Sequence, residues 1–172
     1  MGIKKESTRQ TILRISIELF AQSGYANVSV RDIAQAVGIK PASLYYHFAN
    51  KQTLYLASIE ESFSLKAAVF SKVLALKEPA EIKLQHYIYA LTQLASEDEA
   101  FRRLIQRELL DGDEKRMQYL AEKVFEKQFN ALGNLLSEVE PNCDPIMSAI
   151  SILSLVLYHL DNCTHSLFFK RP

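Results

Sequence analysis

The sequence predicts an all-α protein, with an N-terminal three-helix helix-turn-helix domain followed by a larger C-terminal helical domain. Three observations carry this expectation. Apolar residues recur at three- and four-residue spacing along most of the chain, and no alternating stretch of strand length competes with them. Glycines and prolines mark the breaks between those stretches. Between Ser29 and Lys51, SVRDIAQAVGIKPASLYYHFANK places two short helical patterns on either side of a turn at Val37, Gly38 and Ile39.

Taken in order, Ser7 and Thr8 can cap a first helix whose apolar positions include Ile12, Ile15, Leu19 and Phe20, and Gly24 ends it. Val28 plugs the small N-terminal core. Ser29 is an N-cap with Asp32 three residues on, a variant of the capping box, so a second helix runs from about Val30 to Ala36. Gly38 supplies the turn, and Pro41 starts a third helix sharply, because the N–H that proline lacks would have had no intrahelical partner there. Leu44 and Phe48 bury one face of it.

Beyond Asn50 the elements lengthen. One helix extends to about Lys77 and stops before Pro79, a second covers Ala80 to Ala95, and a third covers Ala100 to Leu110 before Gly112. A single amphipathic helix is expected from about Asp113 to Val139. The last, from Pro145 to roughly Phe168, is apolar on nearly every side, so both sides of it need cover, from the core or from a second subunit. The total is about eight helices, split into residues 1–50 and 51–172.

Charge divides the same way. The formal net charge is zero, yet the stretch from Met1 to Lys51 holds seven basic and three acidic residues, a net of plus four, which leaves minus four for the remainder. A basic module that meets phosphates joined to an acidic one fits this distribution. Cys143 and Cys163 match no zinc or redox spacing, and no stretch has the length and apolarity of a membrane span or a signal peptide, so a cytoplasmic protein is expected. No glycine-rich phosphate loop, nucleophile motif or supported carboxylate pair points to an enzyme.

The order Gly24-Tyr25, Val28-Ser29-Val30-Arg31-Asp32-Ile33-Ala34, Val37-Gly38-Ile39, Ser43-Leu44-Tyr45-Tyr46-His47-Phe48 and Asn50-Lys51 resembles the DNA-binding domain of the TetR family of bacterial transcriptional regulators. The resemblance covers about the first fifty residues. It implies a regulator, most simply a repressor, that binds double-stranded operator DNA as a homodimer and is released by a small-molecule effector. From that resemblance and from helix geometry, Arg31, Lys40, Pro41, Ala42, Ser43 and Tyr45 are expected at or near base edges. Pro41 and Ala42 could read only a thymine methyl, and Ser29, Tyr46, His47 and Lys51 are expected on phosphates.

The resemblance also implies an effector cavity among the C-terminal helices. Its expected lining is Phe63, Tyr87, Phe101, Glu108, Met117, Phe125, Tyr158 and His159, chosen as aromatic, sulfur-bearing or polar residues on inward stripes. Phe70, Phe129 and Met147 belong to the same class, and Arg103, Arg107, Asn162 and His165 are further polar interruptions. Glu108, His159 and His86 are too dispersed to make a metal site the economical explanation, so neither metal nor cofactor is expected. In the last helix, Ile146, Ile150, Leu153, Leu157 and Leu160 are candidates for a dimer surface. Family members usually carry one more helix after this point, and a chain stopping at Phe168-Phe169-Lys170-Arg171-Pro172 is either a short member with a reduced interface or lacks a tail.

Overall fold

Ser7 closes a capping box with Gln10, each accepting the other's backbone N–H at 3.1–3.3 Å, and α1 (Thr8–Asn27) starts from it. The computed structural model describes residues 7–164, apart from the side chains of Leu65, Leu160, Asp161, Asn162, Cys163 and Thr164; those of Leu160, Asn162 and Cys163, singled out above, and everything from His165 onward lie outside the described part. Gly24 breaks α1 with φ 79° and ψ 167°, a conformation that a side chain would strain, so the expected end is there, followed by a further short turn to Asn27.

The second capping box is Ser29 with Asp32, at 2.8 and 3.2 Å, and it opens α2 (Val30–Val37). Gly38 then takes the left-handed conformation, φ 78°, with its N–H on the last carbonyls of α2. Pro41 is the first residue of α3 (Pro41–His47), and Asn50 caps α4 (Lys51–Leu74) by accepting the Thr53 amide at 2.8 Å. The remaining helices are α5 (Ala80–Glu97), α6 (Glu99–Asp111), α7 (Glu114–Leu120), α8 (Glu126–Val139) and α9 (Pro145–Thr164).

One difference from the sequence expectation concerns Asp113 to Val139. A π-turn over Ala121–Phe125 separates α7 from α8, so the described residues form nine α-helices instead of about eight. Such turns insert one residue into an α-helix and occur often beside functional sites.

Two apolar clusters hold the helices together. The first joins Ile12, Leu13 and Phe20 of α1, Ile33 of α2, Leu44 of α3 and Leu54, Tyr55 and Ile59 of α4 to Leu104, Leu120 and Val124. The small N-terminal helices therefore share a core with α6, α7 and the π-turn, and each fully buried Leu, Ile or Phe contributes about 1.5–3 kcal/mol to that union. The second cluster gathers Phe70, Tyr87, Leu91, Leu132, Leu136 and Leu157 from α4, α5, α8 and α9.

α9 has an inside and an outside. Ala149, Val156 and Leu157 are buried, whereas Ile146, Met147, Ile150, Leu155 and Tyr158 are exposed, Leu155 to 72%. Of the residues expected on a partner surface, Ile146 and Ile150 face outward, Leu153 is half-buried and Leu157 is turned into the core against α5 and α8. No helix among the described residues is long and apolar enough to cross a membrane.

Candidate nucleic-acid interface and ligand cavity

Leu44 and Phe48, both buried, pin α3 to the N-terminal core and turn its other side outward. Lys40, Pro41, Ala42, Ser43, Tyr45 and Tyr46 are all exposed, Tyr46 to 86%, an exposure that burial in its own domain does not explain. Arg31 is exposed in the first turn of α2. The Ser29 hydroxyl is engaged as the α2 cap, and its side-chain and backbone hydrogen bonds hold the Asp32 carboxyl below its ordinary range. His47 is half-buried, edge-on to Tyr46 at 5.3 Å.

Lys51 is tied to its own protein. Its Nζ stands 4.3 Å from the Tyr25 ring centroid and 3.4 Å from the Ala26 carbonyl oxygen. Desolvation, followed by repulsion from Arg116, lowers the pKa of this amine. The same Tyr25 ring carries the Arg116 guanidinium at 4.5 Å, and Tyr25 lies 4.9 Å from the ring of Tyr55. Behind this cluster is Glu108, 2% exposed, which accepts the Tyr55 hydroxyl at 2.8 Å and Arg116 Nε at 3.0 and 3.3 Å. Burial and then the Glu108 hydrogen bond hold the Tyr55 phenol far above its ordinary value. For Arg116, burial acts downward but the bond and charge of Glu108 outweigh it and raise the pKa.

Glu108 also lines a cavity of about 570 Å³ among α4 to α9. The walls are almost entirely carbon. Phe63, Tyr87, Phe101, Glu108, Met117 and Phe125 line it, which brings six of the eight expected ligand residues together. Tyr158 and His159 do not line it; they lie on the exposed side of α9, because the buried stripe of that helix runs through Ala149, Val156 and Leu157. Leu91, Leu132, Gln128 and Ser154 line the cavity without having been singled out, since nothing local separates a cavity-facing leucine from a core leucine. Burial pushes the Tyr87 phenol up to about 12. Among the described residues, no three His, Cys, Asp or Glu side chains gather as a metal site.

Comparison with known proteins places this geometry. Residues 12–58 match the family model of bacterial regulatory proteins of the tetR family. A solved TetR transcriptional regulator from Legionella pneumophila is 30% identical over 93% of this chain and 87% of its own, with a TM-score of 0.73. The chain belongs to the TetR family. Within that family, the biofilm operon icaADBC negative transcriptional regulator IcaR of Staphylococcus epidermidis is 41% identical over 56 residues, which cover 33% of this chain and 30% of that protein. The regulator FadR from Bacillus subtilis, solved in complex with stearoyl-CoA, shares the fold at a TM-score of 0.79 and 19% identity, over 93% of this chain and 89% of its own. The segment matched by the TetR model runs from α1 into the first turns of α4 and contains all ten residues expected on DNA.

Proposed function

We propose that this TetR-family regulator is a dimeric repressor, released from its operator when a small molecule with an apolar body occupies the cavity among α4 to α9. The observation that carries the reading is the shared core. α3, with its exposed Pro41–Tyr46 face, is packed onto the same cluster that includes Leu104 and Leu120, and Leu120 also lines the cavity. A change in cavity shape therefore bears on the elements that support α3.

In this reading Lys40, Pro41, Ala42, Ser43, Tyr45 and Arg31 meet base edges, while Ser29, Tyr46, His47 and Lys51 position the phosphates. Residues 1–50 form the DNA-reading half and 51–172 the sensing and dimerising half. Two copies joined through the exposed side of α9 present two α3 helices to a two-fold symmetric operator. IcaR, a negative regulator, supports repression, and the stearoyl-CoA complex of FadR supports a ligand whose buried part is an apolar chain. A cytoplasmic, non-enzymatic protein follows from the same role.

Fluorescence anisotropy on duplex DNA from upstream of its own gene tests the reading. Salt-sensitive binding, confined to particular sequences and abolished by Tyr45→Ala, is expected. Equal weak binding to every duplex would overturn it.

A further inference from the structure

The cavity has one feature that an apolar ligand leaves unused. Among the described residues that line it, Glu108 is the only charged one. Its carboxylate is held by Tyr55 Oη and Arg116 Nε, and neither Tyr55 nor Arg116 lines the cavity. A carboxylate accepts about four hydrogen bonds, so two donors do not saturate it. Among apolar walls the remaining capacity selects a partner: an N–H or O–H is welcome, and an anion or a bare acceptor is not.

The partners of Glu108 lead outward to the DNA-reading half. Arg116 lies over Tyr25, beside the Gly24 break of α1, and Lys51 Nζ lies over the same ring. Tyr55 is on α4 one turn beyond Lys51. Arg116 holds two further carboxylates at the same time: Asp111 Oδ2 at the end of α6 and Asp113 Oδ2 in front of α7 each stand 3.5 Å from its guanidinium. Glu108, Asp111 and Asp113 thus hold the guanidinium together, and two of the three remain to it when Glu108 is drawn away.

We propose that the effector carries a hydrogen-bond donor, a hydroxyl, amide or amine, on an apolar body, and that this donor competes with Tyr55 and Arg116 for the Glu108 carboxylate. Drawn toward the ligand, the carboxylate releases Arg116 to Asp111 and Asp113. The guanidinium leaves Tyr25, and the support of Lys51 and the end of α1 changes with it. The inference rests on the cavity being the effector site.

Octanol and its methyl ether test it, since the pair differs chiefly in the donor. Displacement of Nile red from the full-length protein reads cavity occupancy, and anisotropy on a duplex enriched from a random pool reads DNA affinity. Octanol is expected to displace the dye at about tenfold lower concentration than the ether, to exceed octanoate by more, and to be the one that weakens DNA binding. Glu108→Gln brings alcohol and ether within a factor of about two of each other. Tyr55→Phe, which removes a competing donor and keeps the ring, shifts DNA release to lower octanol concentration.

Equal displacement by alcohol and ether in the unmodified protein overturns the proposal and leaves the cavity reading standing. Preferential octanol binding with no effect on DNA affinity overturns the coupling. If Nile red and both probes fail to enter, the cavity reading itself falls. Should Glu108→Gln fail to fold, the unmodified protein and Tyr55→Phe still decide between these outcomes.

Discussion

A Cβ on Gly24 would stand 3.3 Å from Nη1 of Arg107, the residue whose Nε and Nη2 donate to the Ala21 and Gln22 carbonyls at 2.9 and 2.7 Å. The break in α1 thus exposes carbonyls that a side chain of α6 closes. Arg107→Ala removes two charge-assisted hydrogen bonds and is expected to cost about 2 kcal/mol. Gly24→Ala adds left-handed strain to the close contact and is expected to cost about 1–3 kcal/mol. Urea unfolding measures both, and an Arg107→Ala protein as stable as its parent would show that the contact contributes nothing.

Tyr45, 52% exposed, and Lys40 have little packing to lose. Alanine at either position should change stability by less than about 0.5 kcal/mol while weakening DNA binding. The two differ in kind. Lys40→Ala removes a cation from the interface and should reduce the slope of log affinity against log salt, and Tyr45→Ala should leave that slope nearly unchanged. Loss of helicity in either variant would mean that α3 depends on these side chains for its fold.

The exposed apolar residues of α9 make a separate prediction. Leu155→Glu, at a position 72% exposed and outside the cavity lining, places a charge where a partner α9 is expected and little of the monomer's own packing is disturbed. Sedimentation equilibrium should show the dimer mass replaced by that of the monomer. DNA affinity should fall with it, because a single α3 makes few base contacts. A Leu155→Glu protein that remains dimeric would move the interface elsewhere.

Asp98 sits between α5 and α6, accepts the Phe101 amide at 2.8 Å and pairs with Lys66 at 2.9 Å. Burial would raise its pKa, but the Lys66 and Phe101 hydrogen bonds and the Lys66 charge outweigh burial, and the net shift is downward from 3.8. A carboxyl depressed by folding contributes stability that is present above its unfolded value and disappears as pH falls through that value toward the folded one. Stability should therefore decline as the medium is acidified through and below 3.8, and Asp98→Asn should be less stable at neutral pH and show a shallower decline. Parallel acid limbs for the two proteins would contradict this.

The N-terminal half was legible because its signals are local. The Ser29–Asp32 box, Gly38 and Pro41 act within four residues of themselves, and the structure has each where spacing places it. The cavity was legible only in part. Phe63, Tyr87 and Phe125 are bulky enough to be suspected from type alone, but whether Tyr158 or Ser154 looks inward depends on the rotation of α9 about its axis, which tertiary packing sets. Arg116 drew no attention in the sequence, because the rings it covers, Tyr25 and Tyr55, belong to α1 and α4 and are brought beside it only by the folded core.

The π-turn at Ala121–Phe125 has a consequence for the kinds of sequence change this fold can absorb. Regular α-geometry would return there on deletion of one residue, because the wide turn already holds the extra residue while its neighbours keep their phase. A residue added or removed within the regular part of α8 would instead turn its successors by about 100°, and Leu132, Leu135 and Leu136 would leave the cavity and the core. The π-turn is therefore the place in this stretch where a single-codon deletion can be absorbed, and the turns of α8 beyond it are where length must stay fixed.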